Sequence, residues 1–197
     1  MAVGDELPGD LEALAAAARS SPSDAGPAIA ALLAASRERV YRWALVRTGD
    51  PDDADDVAQE VSMALHRRLH QFGGRSRFST WLYRLAANAA AELHRRSRRR
   101  SEVHGLASDE TVTAAMDERI AGLPDRRIAD TVHGFFAGLP DRQRELVDLV
   151  DLQGYTAAQA AEMLEIEPAT ARTHLFRGRR ALRERLLETY PTLREDR

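Results

Sequence analysis

The sequence predicts an all-α protein of two small helical domains joined by a flexible linker. Three observations carry that expectation. An alanine-rich stretch with almost no helix breakers runs from Ser79 to Arg100. A helix, a tight turn and a longer basic helix follow one another between Asp141 and Glu188. Between them, residues 101–130 hold seven acids against three arginines and form no sustained apolar stripe, the pattern of a linker. The expected boundaries are a flexible amino-terminal extension at 1–27, a first domain at 28–100, the acidic linker at 101–130, a second domain at 131–188 and a tail at 189–197.

Taken in order, residues 1–27 are rich in Ala, Gly, Pro, Ser and acid. Leu11 to Arg19 has short-helix character, but little in it demands a core. Ala28 to Arg47 reads as a helix with Ile29, Leu32, Leu33, Val40, Trp43 and Ala44 on one side, and Gly49 is placed to end it. Asp50 then caps a second helix, with Pro51 in the first position and Asp52 and Asp53 where the helix dipole favours negative charge. That helix is divided by charge. Its first half carries Asp50, Asp52, Asp53, Asp55, Asp56 and Glu60, and arginine enters only after His66. Acids beyond the first turn exceed what the dipole explains, so an acidic patch facing a basic protein partner is expected. His66 and His70 have the spacing of a helical metal pair, but neither a third ligand nor an HExxH arrangement accompanies them, and no metal is expected.

A glycine turn at Gly73 and Gly74 leads to Ser79, a plausible cap for the long helix. Leu82, Leu85, Ala86, Ala89 and Leu93 make its apolar face, and Arg84, Asn88, Glu92, Arg95 and Arg99 lie along another. From His66 to Arg100 ten arginines stand against one acid, Glu92, a local balance of plus nine. A phosphate backbone suits that field. Phe72, Phe78, Trp81 and Tyr83 are interleaved with the arginines, and exposed rings in a cationic surface suit unstacked bases, unless these rings are core and the charges merely solvated.

In the second domain, Asp141 to Gln153 reads as an amphipathic helix ended by Gly154. Thr156 and Gln159 form a capping-box pattern for a short helix through Leu164, and Pro168 opens a third. Arg172 to Arg185 carries six arginines against Glu184. This is the helix-turn-helix arrangement, whose second helix enters a DNA major groove.

Composition excludes other classes. The net charge of −3 conceals strong segregation, and all 28 basic residues are arginine, so planar fork contacts to phosphates and bases are available throughout. The chain has no cysteine, hence no disulfide, thiolate site or thiol switch. It has neither an apolar run of membrane-spanning length nor a basic-then-apolar secretory start, and a cytoplasmic protein without membrane insertion is expected. No cofactor is implied, and no convergent nucleophile, base or metal set supports an enzyme.

The segments GDPDDADDVAQEV, FGGRSRFSTWLYRLAANAAAELHRR, LPDRQRELVDLVDLQGYTAAQAAEML and TARTHLFRGRRALRERL, in that order and at that separation, resemble the extracytoplasmic-function sigma factors of the sigma-70 family. The resemblance implies a promoter-specificity subunit of RNA polymerase, made of regions 2 and 4 and controlled by an anti-sigma factor. It implies that Asp53, Asp56, Gln59 and Glu60 dock on the clamp helices of the polymerase largest subunit, with the flap as a second contact. Phe72, Tyr83, Asn88 and Glu92, with Arg84 and Arg95 beside them, match positions that read the minus-ten element around an extruded base. Arg172, Thr173, Phe176 and Arg177 match the face that reads the minus-thirty-five duplex. The chain departs from the family at Gly73 and Arg75, where arginine and an acid are common, at Glu92 in place of Asp or Asn, and at Glu165 and Glu167 in place of a turn glycine and a capping serine. A non-glycine residue in that turn predicts strain. A stand-alone helix-turn-helix regulator of duplex operators is the alternative, for which the second domain alone suffices.

Overall fold

The computed structural model describes residues 9–20, 25–104 and 134–191. Among these the structure is all helix without a strand, divided into two units. The first holds α1 (Gly9–Ser20), α2 (Ala25–Thr48), α3 (Pro51–Arg68), a short 3₁₀ turn (Leu69–Gln71) and α4 (Phe78–His104). The second holds one helical turn at 134–137, then α5 (Asp141–Val147), a π-helical stretch (Asp148–Leu152), α6 (Ala157–Met163) and α7 (Pro168–Thr189). The expected acidic linker and the end of the tail lie outside the described residues, except that 101–104 continue α4 beyond its expected end and 189–191 are described.

In the first unit α2 is the central helix, in contact with α1, α3 and α4. This explains why Leu32, Val40, Trp43, Ala44 and Val46 are buried around much of its circumference. Thr48 and Gly49 end it: the Thr48 hydroxyl donates to the Ala44 carbonyl at 2.9 Å, and Gly49 takes φ 73°. The next helix starts at once, because the Asp50 carboxylate accepts from the amides of Asp52 (2.9 Å) and Asp53 (3.0 Å) with Pro51 in the first turn. Ala54, Val57, Ala58, Val61 and Leu65 then form the buried stripe of α3.

Two expectations are corrected here. The amino-terminal segment is not a loose extension over 9–20: Leu11, Ala15 and Ala18 are buried, and α1 packs on α2 and α4. Burying Leu11 alone is worth about 1.5–3 kcal/mol. Second, Ser79 does not cap α4. It is buried inside the first turn, and the start of the helix is closed instead by Glu12 of α1, whose carboxylate accepts from the amides of Phe78 (2.7 Å) and Ser79 (3.1 Å) and from the Ser79 hydroxyl (3.0 Å).

In the second unit the predicted single helix over Asp141–Gln153 changes pitch at Asp148 to a π-helical turn, and Gly154 follows at φ 74°. Thr156 and Gln159 form the reciprocal capping box, at 3.2 Å from the Gln159 amide and 2.8 Å from the Thr156 amide. The close of α6 is a Schellman motif built on a non-glycine residue. The Ile166 amide donates to Ala161 (3.0 Å), the Glu165 amide donates to Glu162 (3.3 Å), and Glu165 sits at φ 54°. The strain expected at this turn is therefore present. Glu167 precedes Pro168 without making a side-chain cap. Ala171, Leu175 and Gly178 turn α7 toward α5 and α6. A Cβ on Gly178 would lie 2.9 Å from the Val147 Cγ2, so glycine permits the close approach of α7 to α5.

Candidate nucleic-acid interface

On α7 the buried stripe leaves Arg172, Thr173, Phe176 and Arg177 together on the exposed side, one turn apart in two pairs. Phe176 is 67% exposed, which is unusual for a large apolar side chain beside arginines. The Thr173 hydroxyl donates to the Ala169 carbonyl at 3.0 Å, which leaves its oxygen able to accept, and the residue is exposed. The arginines of this helix fall into two sets. Arg179 is held by both carboxylate oxygens of Asp151, Arg180 donates to Glu184 at 2.7 Å, and Arg185 donates to the carbonyls of Phe135 (3.1 Å) and Gly138 (3.4 Å). Arg172, Arg177 and Arg183 make no ion pair among the described residues. A helix presented with two unpaired forks, a hydroxyl and an apolar ring fits phosphates, base edges and a thymine methyl.

In the first unit the polar side of α4 carries exposed Asn88 and Arg95, with Arg84 and Glu92 half-buried. The Glu92 carboxylate accepts from Arg95 (3.0 and 2.7 Å) and from Arg96 (3.2 Å), and these hydrogen bonds hold its pKa below the usual carboxylate value. Glu92 thus stays ionised and fixes two arginines in place.

The aromatic residues differ from expectation. Phe72 and Tyr83 are buried, at 7% and 5% exposure, so neither ring forms an open stacking platform. Phe72, Phe78 and Trp81 make a cluster with centroids 5.4 to 5.6 Å apart, and Tyr83 meets Trp43 edge-on at 5.2 Å. The stripe that buries them is Phe78, Leu82, Ala86 and Ala90, rotated by about a residue from the predicted one, with Leu85, Ala89 and Leu93 half-buried at its margin. Phe72 and Phe78, in contact at 5.4 Å between ring centroids, flank the segment 73–77, which carries exposed Gly73, Gly74, Arg75 and Arg77. Sequence reading also missed Glu12 of α1, which meets the Phe78 and Ser79 amides just after this segment, and Arg19 of α1, which lies against Phe72 and Gly74.

On α3, Asp56 and Gln59 are exposed, and Asp53 and Glu60 half-buried, all on the side away from the buried stripe. The Asp53 pKa is raised, first by partial burial and then by the charges of Asp50, Asp56 and Asp52. Arg37 approaches Asp55 at only 3.8 Å between exposed side chains, so the patch keeps a strong negative field.

Comparison with known proteins matches each unit to a family region. Residues 32–100 match the family model for sigma-70 region 2, and residues 131–182 match that for sigma-70 region 4. The RNA polymerase sigma-H factor of Pseudomonas aeruginosa is 33% identical over 154 residues, covering 74% of this chain and 78% of that protein. The chain belongs to the sigma-70 family. Within it, the relatives place this sigma factor in the extracytoplasmic-function group. The ECF RNA polymerase sigma factor SigM of Mycobacterium tuberculosis is 31% identical over 144 residues (73% and 69% of the two chains), and the ECF RNA polymerase sigma-E factor of Haemophilus influenzae 29% over 153 (72% and 79%). The fold is similar to that of the sigma factor RpoE solved in complex with the anti-sigma factor NepR from Bartonella quintana, with a TM-score of 0.64 at 20% identity over 78% of this chain and 93% of that one. It is also similar to CnrH solved with the cytosolic domain of CnrY, with a TM-score of 0.63 at 21% identity over 92% and 99%. In this sigma factor α1 lies ahead of the segment matched to region 2. No helix among the described residues is long and apolar enough to cross a membrane.

Proposed function

We propose that the chain is a dissociable initiation factor that gives core RNA polymerase its promoter preference, acting in the cytoplasm by binding and performing no chemistry of its own. The acidic side of α3, with Asp53, Asp56, Gln59 and Glu60, docks on a basic surface of the polymerase largest subunit, the clamp helices, and the second unit contacts the flap. The mutual repulsion felt by Asp53 supports this, since a cationic partner relieves a charge cluster that the isolated fold only tolerates. Asn88, Glu92, Arg84 and Arg95 face the melted minus-ten strand, while the buried Phe72 and Tyr83 belong to the core that supports this helix and the segment before it. Extruding a base costs a few kcal/mol of stacking, which amide hydrogen bonds and guanidinium contacts at a preformed surface offset. Arg172, Thr173, Phe176 and Arg177 read the minus-thirty-five duplex, Arg172 at a base edge and Arg177 at phosphate. The structurally similar sigma factor RpoE was solved with the anti-sigma factor NepR, which supports control of this chain by an anti-sigma factor.

The observation that carries the reading is the coexistence, within one chain matched to regions 2 and 4, of the open Arg172 to Arg177 face and the acidic α3 face. A duplex-only regulator has no use for the second. Run-off transcription with core polymerase on a pool of genomic promoters tests it and returns the sequence preference. Promoter-selective transcripts that depend on the added chain are expected. Duplex binding without retention on core polymerase in a pull-down would instead establish the stand-alone regulator.

A further inference from the structure

We infer that α1 is a positioning element for the segment Phe72–Phe78, holding its two ends with Glu12 and Arg19, and that through this hold it sets the base preference of the minus-ten surface. The second half of the inference rests on the function proposed above; the first does not.

Glu12 and Arg19 are seven residues apart, two helical turns or about 10 Å along one side of α1. At one end, the Glu12 carboxylate closes the amides of Phe78 and Ser79 and the Ser79 hydroxyl. These are charge-assisted bonds to a helix start that has no local cap, and they fix where the segment ends. At the other end, the Arg19 guanidinium lies over the Phe72 ring, 5.3 Å from its centroid. The same guanidinium covers Gly74, where a Cβ would lie 3.5 Å from Arg19 Nη1 and where the backbone takes φ 70°. Buried Leu11, Ala15 and Ala18 seat the helix that carries both groups. The five residues between, Gly73 to Arg77, are left exposed or half-exposed and tied only at their ends. Their path is thus dictated from α1, a helix outside the segment matched to region 2 and distant in sequence from α4. Glu12 is half-buried against the start of α4, and the exposed Arg19 is held against Phe72 and Gly74. They are positioning residues.

The test uses the full chain with four substitutions: Glu12→Ala, Glu12→Gln, Arg19→Ala, and Val61→Ala in the buried stripe of α3 as a control that weakens the unit without touching α1. Hydrogen exchange on the free protein should show residues 72–79 exchanging about tenfold faster in Glu12→Ala, the factor set by losing a hydrogen bond to a charged group. Glu12→Gln, which keeps one acceptor oxygen, should recover part of that protection, and Arg19→Ala should loosen residues 72–75. In transcription with core polymerase on promoters randomised through the minus-ten element, Glu12→Ala and Arg19→Ala should flatten the preference at one position by about threefold or more and leave the minus-thirty-five preference unchanged. Val61→Ala, matched for loss of thermal midpoint, should lower yield without altering base ratios. Exchange in 72–79 that rises no more than in Val61→Ala overturns the inference, as do base ratios that stay fixed while the segment loosens. If the wild-type chain directs no selective transcription, the proposed function fails, and the exchange measurements still decide whether α1 holds the segment.

Discussion

Replacing Glu165 by glycine should stabilise the second unit. Glu165 occupies the left-handed position of the Schellman motif that ends α6, at φ 54°, and both bonds of the motif, from the Glu165 and Ile166 amides, are already made. An L-residue with a Cβ pays about 1–2 kcal/mol in that conformation. Glycine removes the penalty but adds freedom to the unfolded chain worth about 0.4–1 kcal/mol. The net gain is about 0.5–1 kcal/mol, or about 2–8 °C in midpoint at 4–8 °C per kcal/mol for a domain of this size. Calorimetry on the full chain can assign the change, because Trp43 and Trp81 both lie in the first unit and their fluorescence follows that transition alone. The transition without a tryptophan signal is the one that should move. Glu165→Ala is the decisive comparison: it removes the side-chain contacts of Glu165 and retains the Cβ, so it should be no more stable than the natural residue. If glycine proves no more stable than alanine, the turn is not strained and the reasoning fails.

Other substitutions probe the remaining surfaces. Gly178→Ala places a methyl 2.9 Å from Val147 Cγ2 and 3.3 Å from Gln143 Cβ, and should destabilise the second unit by about 1–3 kcal/mol in urea titrations through overpacking. Asn88→Ala should impair open-complex formation while sparing closed binding, with partial rescue on a template pre-melted across the minus-ten element. Arg172→Ala should weaken minus-thirty-five-dependent binding about tenfold, the low end of a bidentate base contact, without such rescue; permanganate footprinting and filter binding on duplex and bubble templates separate the two. The raised pKa of Asp53 means that the folded state holds its proton more tightly than the unfolded chain, so this group costs stability as pH rises through and above the ordinary carboxylate range. Asp53→Asn should therefore raise the thermal midpoint at neutral pH, lose that advantage as pH falls below that range, and weaken retention on core polymerase.

What was legible in the sequence was chiefly local chemistry. Asp50, Gly49, Gly154 and the Thr156 to Gln159 box act within a few residues of themselves, so their types and spacing disclose the helix ends directly. The docking of α1 was hidden because runs of alanine mark no single apolar side; only the neighbours decide which alanines are covered. The α4 cap was invisible for a related reason, since its acceptor comes from 66 and 67 residues away. Proximity to arginines made Phe72 and Tyr83 look exposed, whereas the four-residue spacing from Phe78 to Ala90 turns the aromatic edge inward. The pitch change at Asp148 has no signature in residue type, because the apolar spacing of Leu146 and Leu149 serves either helix. The α3 acids and the α7 face could be read because charge segregation survives folding when the opposite side of each helix is apolar.

The division of the α7 arginines also bears on how ions compete for the duplex. Each phosphate neutralised by the protein releases condensed counterions, and the logarithm of the binding constant falls with the logarithm of salt by about 0.9 for each such contact. Three arginines of this helix already have their forks engaged within the protein, so its nominal charge overstates its ionic footprint. With Arg172 on a base edge, phosphate contacts from Arg177 and Arg183 alone would contribute a slope of about −2, against about −4.5 if Arg179, Arg180 and Arg185 also took part. Breaking the Asp151 pair should steepen that slope while leaving sequence preference alone, which would make a carboxylate on the π-helical turn the setting for how sharply the duplex is released as ionic strength climbs.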